Sequence, residues 1–204
     1  MLFETSYQSI AKPTQAVYTE SKSRFLAFAF PVSNEFEIKH QLAQLKIEYP
    51  DATHHCYAWI LNPDKSAQRV NDDGEPANTA GRPILKQINA KNLTNILVVV
   101  VRFFGGKKLG IPGLIEAYGE TAKLCLLNIE LVQKQLKDYY KLCTDLDKEH
   151  LVYNAARKYS VEVIETTREE KLSFLLAITG SNTEAFLKEC NLFNNFVTQY
   201  LKTE

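Results

Sequence analysis

Two apolar runs constrain the fold of this 204-residue chain more than any other feature of its sequence. Residues 25–32 and 96–101 form these runs, and both are far shorter than the roughly 20 residues that a membrane-spanning helix needs. Within residues 22–31, apolar side chains fill both alternating sets of positions from Phe25 to Phe30, which predicts a strand buried on both faces. Residues 95–104, with four consecutive valines, are the most strand-like segment of the chain.

Spacing and turn residues predict the other elements of the first 130 residues. Polar residues rich in turn formers predict an irregular loop, whereas apolar residues three or four apart predict helices. The predicted elements are, in order, a strand at 22–31, a helix that begins with an Asn34–Glu37 capping box and stops at Pro50, a strand at 54–61, a loop at 69–81, a short helix opened by Pro83, a strand at 95–104 and an amphipathic helix from Leu114 to Ile129.

The pattern restarts beyond Glu130. It predicts a strand at 136–143, a helix at 145–159, a strand pair at 161–166 and 172–179, a helix capped by Asn182 and a last strand near Leu201. This βαββαβ order is that of the ferredoxin-like split βαβ unit. We therefore predict an α+β protein with two domains, at residues 1–130 and 131–204.

The charges balance over the chain but not along it. With 24 Lys and Arg residues against 24 Asp and Glu residues, the net charge is zero, which excludes a protein that binds nucleic acid by bulk charge. Residues 76–115 nevertheless contain no acid, which predicts a local positive surface for an anion. Strand aromatics near this window (Trp59, Phe103, Phe104) could stack bases, but core packing explains them at least as well. The cations of the window are Arg82, Lys86, Lys91, Arg102, Lys107 and Lys108.

A glycine-containing loop joins the valine-rich strand to the following helix. Backbone N–H groups at such a helix start favour negative charge, and lysines in the loop would add to the attraction. The spacing matches neither the Walker nor the dinucleotide-binding motif, so a tight turn that permits close packing is an equal alternative. The candidate residues for binding nucleic acid or another anion are Arg82, Arg102, Gly105, Gly106, Lys107, Lys108 and Gly110.

An acidic and histidine-containing cluster is the second candidate site. Asp72, Asp73 and Glu75 could provide a general base or a divalent-cation site, with His54 as an acid. The same carboxylates could instead cap backbone N–H groups or pair with neighbouring arginines. The sequence does not indicate which residue is catalytic.

The sequence gives little support for a metal site or for a catalytic cysteine. His54 and Cys56 would share one strand face, but no second pair of ligands follows at a recognisable spacing, and Cys56 has no evident role as a nucleophile. The four cysteines are far apart, so we expect reduced thiols. We predict neither a metal nor a cofactor.

Three blocks of sequence, residues 54–59, 71–83 and 99–110, closely resemble the signature of the YigZ/IMPACT family and occur in its order. The resemblance implies an N-terminal domain like the second domain of a small-subunit ribosomal protein and domain IV of elongation factor G. It implies a C-terminal domain like domain V of that factor. Eukaryotic members regulate translation initiation during amino-acid starvation, through a further domain that we do not expect in this chain.

The chain departs from the family pattern after Gly110. Ile111, Pro112 and Glu116 replace a hydroxyl-bearing residue, a glycine and a cation. Pro112 cannot donate a backbone hydrogen bond, and Glu116 repels an anion near the helix start. Anion binding would then rest on the neighbouring cations.

Three functions remain open at this stage. The first is a non-enzymatic regulator associated with translation that binds RNA or the ribosome through a basic face of the N-terminal domain. The second is a phosphoester hydrolase or phosphotransferase, and the third is a protein-interaction module without nucleic acid. Residues 1–5 lack a secretory signal pattern, so we expect a cytoplasmic protein with no membrane segment; the oligomeric state is undetermined.

Overall fold

The computed structural model describes residues 6–193 and 195–203. Residues 1–5, on which the expected absence of a signal sequence rests, lie outside this part. Backbone contacts divide the chain into two compact units, which we describe separately. One unit spans Gln8–Lys134, and the other contains residues 6 and 7 with the chain from Gln135 onward.

The N-terminal unit is built around a five-stranded sheet in the order β2-β3-β6-β4-β5, in which all neighbours are antiparallel. Strands β1 and β7 pair separately. The predicted domain boundary falls at the start of β7. The elements are β1 (Ser6–Ile10), β2 (Thr14–Glu20), β3 (Ser23–Pro31), α1 (Glu35–Glu48), β4 (His54–Leu61), β5 (Ala67–Asn71), α2 (Gly81–Ala90), β6 (Ile96–Phe103), α3 (Gly110–Cys125) and β7 (Leu131–Gln135).

Helices cover both faces of this sheet, because its central strand is apolar on both. Val98 and Val100 of β6 belong to the core that α2 and α3 complete, whereas Val99 and Val101 belong to the core that α1 completes. All four valines are fully buried. The same holds for β3, as predicted: Phe25, Ala27 and Ala29 belong to the first core, and Leu26, Phe28 and Phe30 are partly buried against the second.

Local signals located the start of α1 but missed the edge strand β5. The cap of α1 is confirmed, since Asn34 Oδ1 accepts a 2.9 Å hydrogen bond from the Glu37 backbone N–H. Residues 69–71 were expected in a loop, which is wrong: they belong to β5, where Val70 lies opposite Ala58. Pairing with β4 extends this polar segment in spite of its composition.

The C-terminal unit contains a four-stranded antiparallel sheet in the order β11-β8-β10-β9. Helices α4 and α5 contribute Val152, Ala156 and Phe186 to its core. The βαββαβ prediction is confirmed, but Asn182 lies inside α5 rather than capping it, and its amide donates to the Tyr159 carbonyl. The elements are β8 (Lys137–Thr144), α4 (Glu149–Lys158), β9 (Glu162–Arg168), β10 (Leu172–Thr179), α5 (Gly180–Cys190) and β11 (Val197–Thr203).

Both units mix helices with antiparallel sheets, so the predicted α+β class is confirmed. No helix in the described part of the chain has the length and apolar character required to cross a membrane.

Candidate functional site

The two candidate sites lie at the same end of the N-terminal sheet. Strands β5 and β6 are both antiparallel to β4, so they run in the same direction. The loop at residues 72–80 follows β5 and leads into α2, while the loop at residues 104–109 follows β6 and leads into α3. His54 begins β4 at this same end, opposite Arg102 of β6.

Asp72 caps helix α2 from outside the helix. One of its carboxylate oxygens accepts hydrogen bonds from the backbone N–H groups of Ala80 at 3.0 Å and Gly81 at 2.8 Å. The other oxygen accepts from the Asn78 N–H at 2.8 Å. A carboxylate in this position satisfies the free N–H groups and complements the helix dipole. The start of α2 is therefore already occupied by an anionic group of the chain itself.

Asp73 fixes the loop against β4. Its carboxylate accepts the His55 backbone N–H at 2.7 Å, and its carbonyl oxygen lies 2.7 Å from His54 Nδ1. Gly74 follows with a φ of +89°, a left-handed conformation that favours glycine. The tight turn thus brings the next residue, Glu75, under the end of the sheet.

Glu75 and Arg102 form a buried ion pair. Their side chains are 4% and 6% exposed, and Arg102 Nη1 donates to Glu75 Oε1. The guanidinium also lies 5.4 Å from the centre of the Phe25 ring. This differs from the expected role of Arg102 as a cation for an external anion, because its charge is balanced inside the unit. His54 Nε2 lies 3.8 Å from the same carboxylate oxygen, on the more exposed side of the pair.

Two further residues complete this network: Tyr118, which was not predicted as a site residue, and Cys56, which was considered only as a metal ligand or nucleophile. The Tyr118 hydroxyl donates to Glu75 Oε1 at 2.8 Å and accepts from the Cys56 thiol at 3.3 Å. The thiol also lies 3.0 Å from the Asp72 carbonyl oxygen. Burial raises the pKa of both the Cys56 thiol and the Tyr118 hydroxyl, so both remain protonated donors. A tyrosine on the apolar face of a predicted helix was the available signal, since a buried hydroxyl needs a partner.

Ser23 connects the ion pair to the glycine loop. Its hydroxyl oxygen accepts the Gly105 N–H at 3.1 Å and lies 3.5 Å from Arg102 Nη2. Gly105 passes so close to the β2–β3 turn that an added Cβ would lie 2.1 Å from the Lys22 carbonyl carbon. Gly106 and Gly110 have φ values of +83° and +71°. The glycines therefore satisfy the packing and backbone demands of this turn.

Five exposed cations lie near this end of the unit and along α2. Arg69, Arg82, Lys86, Lys107 and Lys108 are all exposed, and we call these five residues the cationic surface. None of them lies within 4.0 Å of a carboxylate in the part of the chain that the structure describes. Arg69 was not predicted as a candidate because it precedes the acid-free window of residues 76–115.

Two open grooves flank the cations of α2. The first, of about 540 Å³, is lined by Gln68, Arg69, Val70, Arg82, Leu85, Lys86 and Asn89. The second, of about 370 Å³, shares Arg82 and Lys86 but also contains Glu116 and Glu120. The first groove is thus the one in which the positive charge is unopposed.

The structure brings the predicted acidic cluster together but separates it from most of the cations. Asp72 and Asp73 bind backbone N–H groups, Glu75 pairs with Arg102 with His54 beside it, and the other predicted cations are exposed. Among the described residues, no group of three or more His, Cys, Asp or Glu side chains is placed to hold a metal ion. The acidic side chains accordingly stabilise the fold, and the exposed cations lie outside this cluster.

Comparisons with known proteins match this chain over most of its length. A family model described as the Impact N-terminal domain matches residues 21–126. An IMPACT family member from Haemophilus influenzae is 36% identical over 182 residues, which are 87% of this chain and 88% of that protein. The IMPACT family member YvyE of Bacillus subtilis is 32% identical over 181 residues, 89% of this chain and 83% of that protein.

A solved structure extends the similarity to both units. It is a crystal structure of a hypothetical protein with a TM-score of 0.80 and 27% identity, covering 98% of this chain and 99% of that one. The family model matches more than half of the chain, and the two bacterial relatives share at least 32% of their aligned residues with it. These matches agree with the three sequence blocks around β4, the acidic loop and the glycine loop, and the chain belongs to the IMPACT family.

Proposed function

We propose that this protein is a non-enzymatic regulator associated with translation, which binds RNA or the ribosome through its cationic surface. The observation that carries the proposal is the opposite orientation of the two kinds of charge. The five cations of the surface are exposed, whereas Asp72, Asp73 and Glu75 are engaged in internal hydrogen bonds. A chain of zero net charge can in this way present a strongly positive local potential to phosphate groups.

The fold adds support by analogy. The C-terminal unit has the strand order of a ferredoxin-like fold, and the family resemblance implies domains like those of elongation factor G. Such an analogy is a weaker argument than the site, because one fold supports many functions. It nevertheless selects nucleic acid of the translation machinery among the anions that a positive surface could bind.

The contacts of the acidic cluster favour structural roles over hydrolysis. A general base needs a carboxylate that can reach a substrate, whereas both oxygens of Asp72 accept backbone N–H groups and Glu75 is paired with Arg102. Burial raises the pKa of the Cys56 thiol, which opposes its use as a nucleophile. These observations support the non-enzymatic proposal over the phosphoester hydrolase.

Salt-dependent binding tests the proposal. With five phosphate contacts, the log–log slope of affinity against salt should be about −3.5 for single-stranded and about −4.5 for double-stranded nucleic acid. We expect the double variant Lys107→Glu, Lys108→Glu to lose most binding to RNA and to purified ribosomal subunits. The matched control is Lys39→Glu with Lys46→Glu on α1, which covers the other face of the sheet. This control should retain binding.

Three results would contradict the proposal. One is binding that does not change with salt, and another is an equal loss of binding in the α1 control. The third is turnover of a phosphoester with Mg²⁺ or Mn²⁺ that Asp73→Asn abolishes, which would make the acidic cluster catalytic. Recovery of isolated protein partners without ribosomal subunits would instead support the protein-interaction function.

A further inference from the structure

The groove between β5 and α2 has a distinctive set of side chains. We call it the β5–α2 groove; its three cations are accompanied by two amides, Gln68 and Asn89, and two aliphatic residues. It contains no acid and no aromatic ring. The groove therefore offers charge for phosphates and amide groups for hydroxyls, with no ring on which a base could stack.

The aromatic residues of this unit lie elsewhere. Trp59 is 7% exposed and belongs to the core under α1, on the other face of the sheet. Phe104 is 48% exposed, but it follows β6 at the end of the sheet and lies 5.5 Å from the Arg102 guanidinium. Recognition of single-stranded RNA relies largely on bases stacked on such rings. The composition of the groove is therefore a poor match for splayed single-stranded bases.

Rigid elements hold the backbone that carries the groove's cations. Ile84 and Ile88 anchor α2 in the core with no exposure, and Asp72 caps the start of the helix. Arg82 and Lys86 are four residues apart on this helix, a rise of about 6 Å, and the same turn-to-turn spacing places them on one side of it. Arg69 also lines the groove, at the edge strand β5, but it lies opposite Trp59 in the ladder, so its Cα–Cβ bond points to the face of the sheet that α1 covers. The backbone that presents these cations is therefore rigid, while their long exposed side chains can adjust to the phosphates of a ligand.

The two amide side chains of the groove are suited to contacts with the ribose of RNA. A-form RNA displays its 2′-hydroxyls in a wide and shallow minor groove, where they both donate and accept hydrogen bonds. Gln68 and Asn89 are exposed, and each carries a donor and an acceptor. From this geometry we infer that the β5–α2 groove binds double-helical RNA, through its backbone phosphates and 2′-hydroxyls and without reading base sequence. This inference rests on the proposed function and specifies its ligand.

The experiment compares four ligands with the full chain under one salt condition. They are a blunt RNA duplex of about 16 base pairs, its two separated strands and the DNA duplex of the same sequence. We expect the RNA duplex to bind at least about tenfold more tightly than either strand and than the DNA. Lys86→Gln should weaken duplex binding and reduce the magnitude of the salt slope by about 1. The control Lys91→Gln, at the far end of α2, should do neither.

A double variant distinguishes contacts to the sugar from contacts to the phosphate. Gln68→Ala with Asn89→Ala should reduce the preference for RNA over DNA and leave the salt slope unchanged, because amides carry no charge. Single strands that bind as tightly as the duplex would overturn the inference; if Lys86→Gln still weakens them, the proposed function stands. Failure of every RNA ligand to bind at low salt would overturn both.

Discussion

Glu75 neutralises Arg102 inside the N-terminal unit, across 27 positions of sequence. The pair joins the acidic loop to the end of β6, and the Tyr118 hydroxyl adds a hydrogen bond from α3 to the same carboxylate oxygen. Because water is excluded from both side chains, each charge depends on the other for its solvation. The pair thus connects the acidic loop to the end of β6, directly before the loop that carries the exposed Lys107 and Lys108.

Removing one charge of this pair should be strongly destabilising. Glu75→Gln leaves the Arg102 guanidinium buried without a counter-charge, which typically costs about 3–5 kcal/mol of unfolding free energy. Urea unfolding followed by circular dichroism measures the change. Glu116→Gln, which removes an exposed carboxylate from α3, should change the unfolding free energy by less than about 0.5 kcal/mol.

A double-mutant cycle checks that the cost belongs to the pair. Glu75→Leu combined with Arg102→Met replaces both charges by apolar groups and should be less destabilised than Arg102→Met alone. If the double variant loses the sum of the free energies that the two single variants lose, the residues act independently.

Asp72 gives a second prediction, on the start of α2. Asp72→Asn retains one acceptor oxygen but loses the charge and the second acceptor that the Asn78, Ala80 and Gly81 N–H groups share. Losing such a cap costs about 1–2 kcal/mol of unfolding free energy. RNA binding at fixed temperature should persist in the folded fraction of the variant. Loss of binding without loss of stability would assign Asp72 to the ligand site instead.

The two adjacent glycines of the β6–α3 loop should respond differently to alanine. A Cβ at Gly105 would lie 2.1 Å from the backbone of Lys22, so the turn must move. A Cβ at Gly106 meets no atom within 4 Å, and only its positive φ is unfavourable, which costs roughly 1–2 kcal/mol. We therefore expect Gly105→Ala to lower the melting temperature more than Gly106→Ala does. The reverse order would show that backbone conformation, not close packing, requires glycine here.

The features that depend on local side-chain patterns were predicted correctly. The valine run of β6 and the βαββαβ order of the C-terminal unit follow from side-chain periodicity, which a sequence displays directly. Strand β5 was missed because pairing with β4, rather than composition, extends Arg69 and its neighbours. The different roles of Arg102 and Lys107 could not be predicted either, since both are cations of the same acid-free window. Only the distant Glu75 distinguishes the buried charge from the exposed one.

His55 predicts how stability depends on pH. It is 8% exposed, and burial lowers the pKa of its imidazole below the ordinary value, although the nearby Asp73 carboxylate opposes this shift. The unfolded chain binds a proton at His55 near pH 6.5, at a pH where the folded chain does not. The unfolding free energy therefore has its full contribution from His55 above about pH 6.5 and loses it as the pH falls toward the lowered folded value.

The slope of stability against pH is the measurement. Between about pH 7.5 and pH 5.5, the His55 contribution should reach at most about 1.4 kcal/mol per pH unit, with stability falling as the solution becomes more acidic. Urea unfolding of His55→Gln should show a correspondingly smaller slope, whatever the variant's absolute stability. His40→Gln, which changes an exposed histidine of α1, should retain the original slope. Identical slopes in the parent and the His55 variant would mean that His55 binds its proton equally well in the folded and unfolded chains.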